Sequence, residues 1–477
     1  MKRRYFIKQV TFLAGAALPL LYCRKADGQA DDTSIPKKIK GKITAAGSPL
    51  AGVVISDGYH VVASGNDGKY ELPIHPDAVT VFVSTPAGHA FDHENNISRH
   101  YRQLQNINRK KNIDFDFTPL SVNDNEHQFI IWADPQVKNA ADVSKLMQTA
   151  VPDVAQLAKD AGSGALLHGI TVGDIVWDEH KLFADYDKAV GKMGMPFFQC
   201  LGNHDMDYNK GGDETSDDTF QQLYGPTYYS FNRGQVHYVV MDNVRYLGKD
   251  REYDGFFQQN QLDWLKKDLS FVPADKLIVL CVHIPVHNGT KNNAALYSLL
   301  EGRKVHIMSG HTHYHRNVIK GDIYEHNHGT VCGAWWTGPI CGDGTPNGYG
   351  VYTVKGKELQ WHYKATGLPA GYQMKLYIKE QGAGQKQLLA NIWNHDPEWK
   401  TEYIVDGSSK GALTQADGFD PVAYETLLGP EKPKPRGFAE PRKTEHLFHA
   451  MLPSGAKEVT VVATDRFGKK YTATQTI

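Results

Sequence analysis

The chain has 477 residues, enough for about three domains. Hydrophobic residues make up 41% and charged residues 22%, so the chain can bury real cores and is not disordered by composition. The formal net charge of -1 leaves no global field to draw it onto a nucleic-acid polymer or an anionic membrane, and no nucleic-acid polymer binding is expected.

The first elements in chain order belong to a targeting segment. "MKRRYFIKQVTFLAGAALPLLYCRKADGQA" joins a basic start to an apolar stretch over residues 10–21 and a Gly-Gln-Ala end. This is the layout of an export signal, too short to span a bilayer, and Arg3-Arg4 with Phe6 and Lys8 resembles the twin-arginine type. Residues 1–30 are therefore read as an export signal, and the protein as periplasmic or otherwise in the cell envelope. Cys23 follows Tyr22, where a lipoprotein signal has a small residue, so lipidation is the weaker reading. No other apolar run is long enough for a transmembrane segment. Five Cys residues are few for an exported protein, so disulfides do not hold this fold. Cys200 and Cys281 lie in apolar runs and are read as core, whereas Cys332 and Cys341 flank "GAWWTGPI" and could pair.

Residues 36–118 read as all-β. "GKITAAGSPLAGVVISDGYHVVASGNDGKYELPI" has short Val/Ile-rich runs separated by Gly-Ser-Pro, Asp-Gly and Asn-Asp-Gly turns, the pattern of a small β-sandwich. It resembles the transthyretin-like domains that precede catalytic domains in exported hydrolases. Residues 125–366 change pattern. "FIIWA", "HGITV", "FFQCL", "HYVVM", "LIVLCV" and "VHIMS" read as strands, and "DVSKLMQTAVPDVAQLAKDA", "QNQLDWLKKDL" and "NNAALYSLL" as helices, which predicts a layered α/β domain. Residues 367–477 return to β character, with a Pro-rich loop "GPEKPKPRGFAEP", and predict a second β-sandwich.

The chemistry lies at the strand ends of the middle segment. "FIIWA" runs into Asp134 and Gln136, and "HGITV" into Gly173-Asp174. "FFQCL" runs into Gly202, Asn203, His204 and Asp205. "LIVLCV" is followed by His283, and "VHIMS" by Gly310, His311 and His313. One strand end with a polar residue means nothing, but a series of them in order does, because α/β folds bind ligands at the carboxyl ends of strands. Side chains two apart in extended chain share a face, so Asp134 and Gln136 can bind one ion together, and His311 and His313 can reach two neighbouring ions. Adjacent residues point apart, so Asn203 can face a bound ion while His204 faces a substrate. Gly173, Gly202 and Gly310 are expected to let the backbone turn close to that site.

The ordered set D-x-[H/Q], GD, GNHD, H and GHTH resembles that of the calcineurin-like metallophosphoesterases. The resemblance implies a two-sheet α/β sandwich flanked by helices, with small all-β sandwich domains at both ends, and a dinuclear metal centre. Asp134, Gln136, Asp174 and His313 would hold the first divalent ion. Asp174 would bridge to a second held by Asn203, His283 and His311. His204 would contact the phosphoryl group and protonate the leaving group, with Asp205 orienting its ring. A metal-bound water ionising near pH ~7 would attack a phosphate ester. Oxygen and nitrogen donors without thiolate suit manganese, iron or zinc. Gln136 stands where most of the family has His, so the first ion is expected to bind more weakly or to be a harder metal.

The resemblance thus implies an enzyme, a metal-dependent phosphoesterase. Its substrate is expected to be a small-molecule or envelope phosphate ester: a phosphodiester, or a phosphorylated sugar, nucleotide or lipid headgroup. The alternative is a catalytically weak or inactive envelope binding protein that uses its β-domains and aromatic loop. His287, Asp343 and Asn347 are weaker candidates for substrate contact. Trp335 and Trp336 either present aromatic faces to a sugar, base or lipid group or plug the junction with the C-terminal domain. Asp178 and Glu179 are read as caps of the following helix.

Overall fold

The computed structural model describes residues 36–106, 112–433 and 436–477. The export signal expected over residues 1–30 lies outside the described residues. Among the described residues no helix is long and apolar enough to cross a membrane.

The sequence is most regular where it builds the central domain. A seven-stranded sheet has the order Glu358–Ala365, Gly348–Lys355, Glu126–Trp132, Leu167–Val172, Phe197–Cys200, Ile97–Ser98, His93–Glu94. A six-stranded sheet has the order Tyr229–Arg233, Val236–Val240, Leu277–Cys281, Val305–Ser309, Ile323–Asn327, Arg316–Lys320. The innermost strands of both run parallel. Each is a continuous apolar run because both of its faces are buried. Along "FIIWA", Phe129, Ile131 and Ala133 join the core shared with the six-stranded sheet, through Val239, Val279 and Ile307. Ile130 and Trp132 point the other way, into a second core with Leu146, Val154 and Phe183 of the covering helices. This is the expected two-sheet sandwich with helices outside.

The long helical stretch after the first ligand loop is two helices, Ala140–Gln148 and Ala150–Ala161. Pro152 stands in the first turn of the second helix, where its missing N–H is tolerated, and it would clash inside one continuous helix.

The terminal domains are both sandwiches of two four-stranded sheets. The N-terminal one closes over Ile43, Ile55, Leu72, Val81 and Phe115. It also lends the short strands at residues 93–98 to the seven-stranded sheet, where Ile97 pairs with Phe197. The C-terminal one closes over Leu388, Ile392, Phe448, Val459 and Val461. Cys332 and Cys341 are buried free thiols, as are Cys200 and Cys281.

Candidate metal centre

Every ligand-bearing loop leaves the carboxyl end of a parallel strand, so the loops of both sheets meet at one rim. The local backbone there is not the extended chain the spacing suggested. Asp134 (φ 47°), Gln136 (φ 40°), Asp174 (φ 48°), His311 (φ 70°) and His313 (φ 54°) all lie in the left-handed region. Non-glycine residues pay strain of about 1–3 kcal/mol each to sit there, and such strain gathers at functional sites. Pairing of Asp134 with Gln136, and of His311 with His313, therefore comes from left-handed backbone at alternate residues rather than from strand alternation. Asn203–Asp205 is likewise a single turn of 3-10 helix. Two glycines are required by contact. A Cβ on Gly202 would meet the Asp174 backbone nitrogen at 1.9 Å, and one on Gly310 would meet Asp134 Oδ2 at 2.5 Å.

Four donor atoms converge on one point. His283 Nε2 lies 3.0 Å from Asn203 Oδ1, 3.2 Å from Asp174 Oδ1 and 3.1 Å from His311 Nδ1. His283 Nδ1 is 2.8 Å from the carbonyl of Val172 and carries its proton there, which leaves Nε2 to face acceptors. Asp174, His283 and His311 alone place their ligand atoms within 4.8 Å of one another. A single proton can satisfy only one pair in this group. A divalent cation satisfies all of them, so the donor set fits the second ion of the expected pair.

The neighbouring group is looser. His313 Nε2 stands 3.7 Å from Asp134 Oδ1, and His313 Nδ1 is held by the Gly333 carbonyl at 2.7 Å. Asp134 accepts the backbone N–H of His311 at 2.9 Å. Gln136 donates its side-chain amide to Asp174 Oδ2 at 3.2 Å, while its Oε1 is 3.9 Å from Cys332 Sγ. Turning the amide by half a rotation would present Oε1 to the first ion. As placed, Gln136 steadies the carboxylate expected to bridge.

The charges show the same demand for cations. Burial pushes the Asp134 carboxyl up to about 8, against the pull of His283, and Asp174 adds to the rise. Burial also opposes charge on Asp174, but His283 and His204 outweigh it and hold that carboxyl well below its ordinary range. Burial opposes charge on His283 too, yet Asp174 and Asp134 raise it to about 9. Burial and the charge of His283 push His311 down to about 3, and burial takes His313 to about 4.

His204 is fixed beside this centre by its own backbone N–H, which donates to Asp174 Oδ1 at 2.9 Å. Its ring is not oriented by Asp205. Asp205 is buried and accepts the N–H groups of Val176 at 3.0 Å and Gly202 at 2.9 Å, which sews the two ligand loops together. The residue that holds the ring is Asp178, whose Oδ1 lies 2.8 Å from His204 Nδ1. Asp178 caps no helix. Its N–H donates to the carbonyl of His204 at 3.0 Å, and Arg251 sits 2.6 Å from its other oxygen. A left-handed φ of 58° at Asp178 is what turns the side chain back. Motif spacing favoured the residue next to His204, and the only sequence signal for Asp178 was its place four residues after Asp174.

The weaker candidates divide. Trp336 is buried, and its indole N–H donates to the Pro135 carbonyl at 3.0 Å, so it locks the Asp134–Gln136 turn and offers no face to substrate. Trp335 is half-buried and stacks on His313 with ring centres 4.3 Å apart. Asp343 is buried in the domain junction. It accepts from the backbone of His315 at 2.7 Å and lies 2.9 Å from His446, so it is structural. Asn347 donates to the Val331 carbonyl at 3.2 Å, and His287 lies 3.2 Å from Glu325, so neither is brought to the donor cluster.

Comparisons with known proteins bear on most of the chain. Family models for the N terminal of calcineurin-like phosphoesterase, for calcineurin-like phosphoesterase itself and for its C terminal match residues 37–120, 127–315 and 325–471. No curated protein matches. Solved structures resembling the chain include a dimetal phosphatase from Danio rerio, at 14% identity and TM-score 0.36, over 50% of this chain and 96% of that one. Purple acid phosphatase PPD1 from yellow lupin resembles it at 12% identity and TM-score 0.38, over 66% and 67%. PhoD does so at 9% identity and TM-score 0.36, over 94% and 87%. With three successive models in order along its length, the chain belongs to the calcineurin-like phosphoesterases, hydrolases with a dinuclear metal site.

Proposed function

We propose that the protein hydrolyses a small phosphate ester, either a phosphodiester or the phosphate of a sugar, nucleotide or lipid headgroup, with two divalent ions bound at the loop rim. The observation that carries this reading is the convergence of Asn203, Asp174 and His311 donor atoms on His283 Nε2 within 3.2 Å, next to His204, whose ring is held by Asp178 and whose backbone N–H donates to Asp174. Asp134, Asp174, Asn203, His283, His311 and His313, with Gln136 after its amide turns, would hold the ions. When bound, the ions would acidify a water and neutralise the phosphoryl oxygens.

The chain's own residues supply the rest. Asp178 keeps the His204 Nδ1 proton in place, so Nε2 is the atom that can deliver a proton to a leaving oxygen. Burial opposes charge on His204, but Asp174 and Asp178 outweigh it and raise its pKa, which favours the acid form needed for that step. Asp205 and Trp336 hold the loops that carry these groups. The export signal read in residues 1–30 would put the reaction in the cell envelope, which fractionation would check.

The test is hydrolysis of bis(4-nitrophenyl) phosphate and 4-nitrophenyl phosphate by chelated protein with and without added manganese. Metal-dependent turnover of either is expected, and the ratio of the two rates sorts diester from monoester activity. No turnover of either by protein shown to hold metal would overturn the reading in favour of a binding role.

A further inference from the structure

The C-terminal domain places one exposed aromatic ring beside the candidate centre. Phe438 is 53% exposed, an uncommon place for a large apolar ring. It is nevertheless held on both sides. Two residues earlier, the buried Arg436 guanidinium lies 2.6 Å from Asp142 on the first covering helix. One residue later, Ala439 is fully buried with Ala334 and Leu427. The ring is therefore presented by a pinned segment, not by a free loop tip.

Its neighbours tie it to the chemistry. Phe438 meets Trp335 edge to face at 5.3 Å and Trp177 at 5.6 Å. Trp335 stacks on His313, and Trp177 meets His204 at 5.5 Å. An arc of three rings thus runs from a proposed metal ligand to the proposed acid. Both outer rings already have partners over a face. His313 covers Trp335, while Lys138 at 4.2 Å and Arg436 at 5.1 Å lie over Trp177. A cage for a quaternary ammonium group needs several free faces, and that is not what remains here. What remains is Phe438, the exposed member of the arc.

We infer that Phe438 is a specificity residue that stacks on a planar aromatic group of the substrate ester, such as an aryl ring or nucleobase. This rests on the proposed phosphoesterase reading and narrows its substrate class. It also gives the C-terminal domain a part in the site, since the exposed ring of the arc comes from that domain and the two covered ones from the central domain.

The test separates binding from turnover. Affinities of phenylphosphonate, methylphosphonate and phosphocholine are measured by calorimetry on the full-length, manganese-loaded protein. Phenylphosphonate is expected to bind about tenfold more tightly than methylphosphonate, the range of one well-formed aromatic pair. In Phe438→Ala that preference should fall to about twofold with methylphosphonate binding unchanged, and Phe438→Tyr should keep it. Equal affinity for the two phosphonates, no binding of either, preference for phosphocholine, or a preference that survives Phe438→Ala overturns the inference. Loss of ester turnover with the aryl preference intact would instead count against the phosphoesterase reading alone.

Discussion

Replacing Asp178 by Asn tests the proposed acid at one atom. The substitution keeps the shape of the side chain and removes the charge that lies 2.8 Å from His204 Nδ1. Hydrogen bonds to charged groups contribute about 1.5–3 kcal/mol, and each 1.36 kcal/mol is about tenfold in rate. Alkyl phosphate esters, whose leaving oxygen needs the proton, should therefore lose about 10- to 150-fold in kcat. 4-Nitrophenyl esters leave as stable phenolates and should lose under about threefold. The direction in pH is set by the charge. His204 must be protonated to act, so activity is present below its pKa and is lost as pH rises through it. Asp178 helps to raise that pKa, so the fall on the basic side should move to lower pH in the variant. Steady-state rates on paired alkyl and aryl esters across pH, with metal content measured alongside, make the comparison. Metal content should not change, because the side chain of Asp178 pairs with His204 and Arg251, neither of which is a proposed metal ligand. Equal losses on both ester classes, or no loss, would refute the assignment. Asp205→Asn should behave differently and lower metal content, because Asp205 ties the Gly202 and Val176 loops together.

Three further outcomes are expected. Gln136→Ala should lower bound metal per chain after dialysis, read by elemental analysis, and Gln136→His should raise it; unchanged metal and turnover in Gln136→Ala would remove Gln136 from the centre. Asp142→Ala leaves the buried Arg436 charge without its partner and should cost about 3–5 kcal/mol of stability in chemical denaturation, with a loss under about 1 kcal/mol counting against a buried ion pair between helix and C-terminal domain. Acid should weaken the fold through its buried histidines: burial takes His100, His306 and His315 to about 3, and His127 and His328 to about 4. Their folded values lie below the unfolded one, so the unfolded chain binds more protons, and the stability present above pH ~6.5 is lost as pH falls towards those values. Each should contribute about 1 kcal/mol of loss between pH ~7 and ~5.5, seen as a falling denaturation midpoint, and a flat midpoint over that range would contradict their neutral burial.

The order of the proposed ligands was legible in the sequence for a local reason. Each comes after a strand buried on both faces, so a continuous apolar run marks where a loop must begin, and Asp134, Asp174, Asn203, His283, His311 and His313 stand at those points. The same locality made the two β-sandwiches readable from their turns. Strand alternation, however, gave the wrong account of how paired ligands face one way, because left-handed backbone at Asp134, Gln136, His311 and His313 depends on tertiary contacts that outweigh local preference. Asp178 displaced Asp205 for a related reason: neighbours in sequence compete for different partners once loops are brought together, and Asp205 was claimed by two backbone amides. Likewise Trp336 was taken inward by Pro135, while Phe438 stayed outside. Sequence by itself determined which chemical groups are delivered to the strand ends, since pattern and polarity are properties of short segments. Only the tertiary structure decided which of them touch, and that a ring from the last domain stands beside the central domain's ligands, because contacts between residues hundreds of positions apart arise from packing that no local pattern encodes.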